Sequence, residues 1–204
     1  MTFGSSFARA LVPAAIVATA AAPAAAQTSD MARLRQHITS VQTMTANFVQ
    51  TDARSRSAAG TLQLKRPGKV RFQYGSGDLL LVADGSRLHF IDYQVGQKSS
   101  FPLSRTPLGV LLSNSPNLNG RAQIVKSSDP RVVTVRARDP AQYGSVVLAF
   151  IRSPSAPGGL QLHGWTAIDA QNKRTTVRLS NVRYNVAVPE TAFRFTEPKK
   201  RRVK

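Results

Sequence analysis

The chain has 204 residues, no cysteine and a formal net charge of +18 at neutral pH, and 42% of its residues are hydrophobic. This hydrophobic content excludes a wholly disordered chain, and the lack of cysteine excludes disulfide frameworks and thiolate metal sites. The large positive charge favours anionic partners.

The first 26 residues differ from the remainder of the chain. Arg9 is their only charged residue, residues 11–22 form an apolar run, and the small residues Ala24 and Ala26 fit an A-x-A processing site. This pattern predicts a secretory signal peptide cleaved near Ala26, and hence export to the periplasm. A membrane anchor needs a longer run of roughly 20 apolar residues. We therefore divide the chain into a signal peptide (1–26), one domain (27–198) and a basic tail (199–204).

A helix is predicted directly after the signal peptide. Asp30 is a good helix N-cap, and Met31, Leu34, Ile38 and Val41 follow at helical spacing. These residues predict an amphipathic helix of about four turns that covers one face of a sheet.

Beyond residue 48 the hydrophobic period changes to two. Leu62, Leu64 and Arg66 fall on one face of a strand, and Val70 and Phe72 fall on one face of the next. A continuous apolar run predicts a strand at 79–83. Further strands are predicted at 60–66, 70–74, 88–93, 122–126, 131–137, 145–151, 160–168 and 175–184. Short strands separated by turn residues are typical of an antiparallel sandwich or barrel.

Residues 106–113 interrupt the run of strands. Thr106 and Pro107 are suited to the start of a short helix, and the residues that follow are apolar on nearly every side. Such a helix is either buried on all sides or exposed at times to an apolar ligand. The sequence alone leaves both alternatives open.

Four motifs occur in a familiar order and spacing. Phe48 to Gln50 follows the first helix, Leu64 to Pro67 reads Leu-Lys-Arg-Pro, Leu81 to Gly85 leads into Leu88-His-Phe, and Thr106-Pro-Leu precedes Leu111-Leu112. From about residue 31 to residue 195, the sequence resembles the LolA family of outer-membrane lipoprotein carriers. It departs from the family at Val70, where an aromatic residue is common, and at His89, where tryptophan is common.

The resemblance implies a mainly β fold, an incomplete antiparallel β-barrel (a half-barrel) covered by a lid of short α-helices. It implies a cavity for lipoprotein acyl chains, loading by an inner-membrane ABC-type lipoprotein-releasing transporter, and delivery to an outer-membrane acceptor, whose presence the sequence does not decide. It also implies that Arg66 holds the lid shut through hydrogen bonds to the lid backbone. We expect a monomer.

We expect the cavity and the lid to be built from aliphatic and aromatic side chains. The candidate cavity residues are Leu62, Leu64, Val70, Phe72 and Leu81, and the candidate lid residues are Leu108, Val110, Leu111 and Leu112. We expect no catalytic residue, no cofactor and no metal site, because His37, His89 and His163 are far apart and lack metal-ligand spacing.

Several alternatives remain at this point. Arg66 alone also fits a strand end at which the side chain reaches solvent. The basic tail fits either transient contact with an anionic membrane or a solvated, disordered end. A nucleic-acid binder is suggested by charge but disfavoured by export, and an enzyme is disfavoured by the absence of catalytic motifs. The nearest rival is a carrier or sensor of another lipid, such as a phospholipid or glycolipid, on the same half-barrel.

Overall fold

A computed structural model describes residues 22–75, 77–106, 109, 112–113, 118–138 and 144–199. Over these residues the chain forms a single antiparallel sheet of eleven strands. The strands are β1 Thr43–Thr51, β2 Ser57–Lys65, β3 Lys69–Tyr74, β4 Leu79–Asp84, β5 Arg87–Asp92, β6 Gln97–Pro102, β7 Ala122–Val125, β8 Val132–Arg138, β9 Ser145–Arg152, β10 Leu160–Ile168 and β11 Arg174–Tyr184.

The order of strands across the sheet is β6-β5-β4-β3-β2-β1-β11-β10-β9-β8-β7. Every neighbouring pair except β1 and β11 is consecutive in the chain, as antiparallel hairpins require. Strands β6 and β7 lie at opposite ends of this order, so the sheet does not close into a barrel. The predicted mainly β fold with an incomplete antiparallel barrel is confirmed.

The two faces of the sheet have different surroundings. We call the face that carries Leu62 the inner face, and the strand register places Ala46, Phe72 and Leu81 on that same face. Because side chains alternate along a strand, their chain neighbours belong to the opposite, outer face. The hydrophobic residues that alternate in β2 and β3 therefore point to one side of a single layer.

The helix α1, Ala22–Ser40, packs on the inner face of the β8–β10 part of the sheet. Its residues Leu34 and Ile38 are buried in one cluster with Val135, Phe150 and Leu160. No helix in the described ranges is both long and apolar enough to cross a bilayer.

The predicted helix start at Met31 is wrong. Helix α1 begins at Ala22, so Asp30 lies inside it and is not an N-cap. The Asp30 carboxylate is buried and accepts two hydrogen bonds from Arg152, from Nη1 at 2.7 Å and from Nη2 at 2.8 Å. The Asp30 carboxylate therefore binds the Arg152 guanidinium in a bidentate pair and does not cap the helix. The alanines before Asp30 have high helix propensity, so the helix extends through them. The helix therefore passes through the predicted cleavage site near Ala26.

Residues 186–197, which we call the C-terminal strap, cross the outer face of the β3–β6 part of the sheet. Val188 and Phe193 are buried against Leu80, Val82 and Ile91. Ion pairs connect the strap to the sheet: Lys65 and Lys69 contact Glu190, and Lys98 contacts Glu197. The strap thus gives this half of the outer face a small core of its own.

Two strands were missing from the sequence prediction. Strand β1 begins at Thr43, and its alternate residues Met44, Ala46 and Phe48 lie on the inner face. Its start was not recognised because the alternating segment is short and follows the helix directly. Strand β6 is mostly polar, as is typical of an edge strand, and therefore lacks a hydrophobic period.

We predict that the strap contributes to global stability. Phe193 is 5% exposed, whereas Phe101 is 54% exposed. Phe193→Ala should lower the free energy of unfolding by about 3–5 kcal/mol, because it empties a buried ring site. Phe101→Ala, the control, should change it by only about 0.5 kcal/mol. Urea denaturation measures both changes, and equal losses would show that the strap does not belong to the cooperative unit.

Candidate functional site

A cavity of about 120 Å³ lies between the inner face of the sheet, helix α1 and Leu112. Its walls are almost wholly apolar, and Arg66 and His37 are the ionisable residues among them. The other lining residues are Leu34, Ile38, Val41, Met44, Leu62, Leu64, Val70, Phe72, Leu112, Leu118, Ala122, Val135, Val146, Leu148, Phe150, Leu162 and Trp165.

The cavity lies where two hydrophobic clusters meet. One cluster contains Leu62, Phe72 and Leu112, and the other contains Leu34 and Phe150. Leu162 and Trp165 pack against both clusters. The Trp165 and Phe72 rings meet edge to face, with their centroids 5.8 Å apart. The hollow is therefore a gap between two separately packed halves.

The size of the cavity shows which state of the molecule is present. An engineered apolar cavity of about 150 Å³ in another protein holds one benzene molecule. A volume of about 120 Å³ is therefore too small for a long acyl chain. The described walls therefore leave no room for a long acyl chain, and such a ligand must displace some of the wall. We call this arrangement, with Leu112 in the wall, the closed state.

Four of the five candidate cavity residues line the hollow. Leu62, Leu64, Val70 and Phe72 all contribute to its wall. Leu81 is half-buried and packs against the same cluster, but it is not part of the cavity wall.

The candidate lid is described only in part. Leu112 is 1% exposed and lines the cavity, whereas Leu108, Val110 and Leu111 lie outside the described residues. The Gly109 N–H donates to Thr106 Oγ1 at 3.2 Å, the bond expected of a capping threonine. A Cβ added at Gly109 would lie 2.2 Å from the carbonyl oxygen of Leu103, so Gly109 lies close against the preceding turn.

Arg66 connects three parts of the chain at the cavity. Its Nε donates to the Val41 carbonyl at 2.9 Å, and its Nη1 donates to the Ser113 carbonyl at 2.7 Å. The Gly68 N–H adds a bond of 3.0 Å to the Leu112 carbonyl. Arg66 thus holds the end of the 106–113 segment and the residue after α1 against the end of β2.

The electrostatics of Arg66 are unusual for an arginine. Burial lowers its pKa to about 10, so the guanidinium remains charged at neutral pH. A buried charge is costly unless hydrogen bonds compensate it, and Arg66 takes this compensation from the two backbone carbonyls.

His37 belongs to the site, although the sequence analysis considered it only as a metal ligand and did not place it at the cavity. It lines the cavity, and its Nδ1 donates to the Pro157 carbonyl at 2.9 Å. Its ring contacts Phe150 at 5.2 Å and Tyr184 at 5.3 Å, both edge to face. Burial lowers the pKa of His37, and the positive charge of Arg66 acts in the same direction. A sequence signal existed, because His37 lies three residues after the buried Leu34.

His89, where the family commonly has tryptophan, lies on the outer face. Its Nε2 is 3.0 Å from Asp84 Oδ2, and its Nδ1 is 2.8 Å from Ser100 Oγ. Phe195 of the strap covers the ring at 4.8 Å. Across the described part of the chain, no group of three or more histidine or carboxylate side chains is placed to hold a metal ion.

The sequence was compared with known families and proteins. Residues 39–196 match the model of the family described as outer membrane lipoprotein carrier protein LolA. The chain belongs to the LolA family. A relative from Chromobacterium violaceum, named outer-membrane lipoprotein carrier protein, is 30% identical over 93% of each chain.

Another LolA-family relative with that name, from Pseudomonas entomophila, is 29% identical over 90% of this chain and 91% of its own. Among solved structures, a LolA superfamily protein from Nitrosomonas europaea aligns with a TM-score of 0.45 at 12% identity, over 81% of this chain and 97% of its own.

We predict that His37 makes the stability of this LolA-family chain depend on pH. Because its pKa is lower in the folded chain than the ordinary value of 6.5, the unfolded chain takes up a proton first as the pH falls. Stability should therefore decline between about pH 7.5 and 5.5, and His37→Gln should remove part of that decline.

Urea denaturation at several pH values measures the slope of the free energy of unfolding against pH. A loss of stability that is equal at every pH leaves this slope unchanged. His163→Gln is the control, because His163 is exposed. An equal slope in the wild type and in His37→Gln would contradict the prediction.

Proposed function

We propose that this chain is a periplasmic carrier that binds the acyl chains of lipoproteins in the cavity and moves lipoproteins from the inner to the outer membrane. The observation that carries the proposal is an apolar cavity between the inner face of the sheet, α1 and Leu112, in a member of the LolA family. The proposed role is transport, and no catalytic step is assigned to it.

The energetics of lipid transfer explain why such a carrier is needed. Moving acyl chains from a bilayer into water costs about 0.8 kcal/mol per CH₂, or on the order of 12 kcal/mol for a chain of about 16 carbons. A soluble protein removes this barrier if its apolar surface replaces the bilayer. The inner face of the sheet, with Leu62, Leu64, Val70 and Phe72, supplies this surface.

Loading requires the closed cavity to open. The contacts that Leu112 makes with the inner face are apolar, and the contacts that an acyl chain would make there are also apolar. The exchange is therefore nearly balanced in free energy, because burial of apolar area is favourable whichever group provides it. A balanced exchange suits a carrier that must release its cargo as readily as it binds it.

The hydrogen bonds of Arg66 supply the free energy that favours the closed state. Its bond to the Ser113 carbonyl exists only while the 106–113 segment is in place, whereas its bond to the Val41 carbonyl ties it to the residue after α1. Displacement of the segment by cargo breaks the bond to Ser113, and release of cargo restores it. We assign Arg66 as the latch that couples cavity occupancy to closure.

The proposed route uses the predicted ends of the chain and two membrane partners. The signal peptide at 1–26 directs export, and cleavage near Ala26 leaves most of α1 attached to the sheet. An inner-membrane ABC-type transporter loads the carrier, and an outer-membrane acceptor receives the cargo. Mass spectrometry of material bound to the protein isolated from periplasm distinguishes lipoprotein cargo from another lipid, the alternative considered above.

We predict that filling the cavity weakens acyl-chain binding. Val146 lines the cavity, whereas its neighbour Val147 belongs to the outer face, and both are half-buried. Val146→Phe should lower the affinity for a fluorescent long-chain fatty acid by roughly tenfold or more, since it displaces about two CH₂ groups. Val147→Phe should leave the affinity unchanged. Equal affinities in the two variants would exclude this cavity as the binding site.

We predict that Arg66→Leu slows the release of cargo. The variant keeps the apolar wall but loses the charged donors to Val41 and Ser113, so closure gains less free energy. Transfer of bound lipoprotein to acceptor membranes should slow by on the order of tenfold or more. Arg54→Leu, a change at an exposed arginine, should have no effect. Transfer by Arg66→Leu at the wild-type rate would rule out the latch.

A further inference from the structure

The outer face of the β8–β11 half carries a set of arginines. Strand pairing places Arg178 opposite Val49 and Gly164, and places Arg174 opposite Ile168, all on the face opposite Trp165. The same register places Arg183 and Arg136 on that face. We call these four residues, Arg136, Arg174, Arg178 and Arg183, the arginine face.

The arginine face has no acidic counterpart in the described ranges. None of its four arginines forms an ion pair or a side-chain hydrogen bond there, and no described acidic side chain belongs to this face. The carboxylates directly after β1 and β10 have other partners: Asp52 binds Arg56, and Asp169 accepts the backbone N–H groups of Gln171 and Lys173.

The other half of the outer face provides a direct contrast. There the C-terminal strap covers the sheet, and its Glu190 and Glu197 form ion pairs with Lys65, Lys69 and Lys98. The chain therefore pairs its outer lysines where it covers the sheet, and leaves its outer arginines unpaired where it does not.

Aliphatic side chains are interleaved with the arginines. Val49, directly opposite Arg178, is 47% exposed, and Ile151, on the same face of β9, is 38% exposed. The arginines of β11 extend over roughly 30 Å, at about 3.3 Å per residue. Positive charges spaced among short aliphatic groups on a broad sheet face suit the headgroup region of a bilayer, where anionic phosphates and apolar surface are both present.

We propose that the arginine face docks this protein onto anionic phospholipid surfaces. The inference rests on the proposed carrier function, because a carrier must visit two membranes. Docking by the outer face leaves the inner face and its cavity turned away from the lipid, where the parts of a membrane partner that project from the bilayer can reach them. The surface is distinct from the basic tail, most of which lies outside the described residues.

The test uses the full chain without cargo and vesicles of phosphatidylcholine, with or without phosphatidylglycerol. Wild-type protein should bind only the vesicles that contain phosphatidylglycerol, and added salt should weaken this binding. The triple variant Arg174→Gln, Arg178→Gln and Arg183→Gln should bind them roughly fivefold more weakly per arginine removed.

The matched control is Arg54→Gln, Arg105→Gln and Arg121→Gln, which removes the same charge from exposed arginines outside the arginine face. It should retain most of the vesicle binding. Equal losses in the two triple variants would assign the binding to net charge or to the tail and overturn the proposal, as would stronger binding to duplex DNA than to the vesicles. Fatty-acid binding by the first variant should stay at the wild-type level, so failure of docking and failure of the carrier function are separate results.

Discussion

A charged guanidinium in the wall of an apolar cavity constrains the rest of this molecule. Arg66 cannot lose its charge at neutral pH, and its acceptors, the carbonyls of Val41 and Ser113, belong to segments far apart in sequence. An unpaired buried charge is strongly destabilising, so the closed state exists only with α1 and the 106–113 segment both in place. Hydrogen bonds of this kind are directional, whereas the leucine contacts around them are not. Arg66 therefore defines one closed arrangement among many possible apolar contacts.

In the proposed carrier, the apolar wall and Arg66, which we propose as the latch, have complementary roles. Contacts between aliphatic groups discriminate little between a leucine and an acyl chain, so the wall alone would allow a continuum of partly open states. The latch adds a discrete difference between open and closed. His37 lies in the same wall and is kept neutral by burial and by Arg66, so a second positive charge does not oppose closure at neutral pH.

The parts of this structure with a strong hydrophobic period were predictable from the sequence. All nine predicted strands are present, because alternation such as Leu62 with Leu64 reports a sheet with one buried face. Strand β6 was missed because an edge strand buries little and needs no period. The start of α1 was misjudged because the ion pair of Asp30 with Arg152 joins residues 122 positions apart, which no local pattern reveals. Alternation with Leu64 predicted only the face on which Arg66 lies, and the family resemblance implied its contact with the lid backbone. Its partners Val41 and Ser113 are distant in sequence, so no local pattern could have identified them.

An open sheet, as opposed to a closed barrel, suits the proposed carrier function. A small closed barrel fills its interior with its own side chains and leaves no surface to exchange. An open sheet exposes its inner face to elements that are not part of the hydrogen-bonded ladder, here α1 and the segment containing Leu112. In the proposed carrier these covers separate from the sheet without breaking a strand pair. Opening then costs side-chain contacts, the Arg66 bonds and the Gly68–Leu112 backbone bond, but no hydrogen bonds between strands. The strand pairing is thereby kept while the cover changes, and the outer face is left available for a separate role.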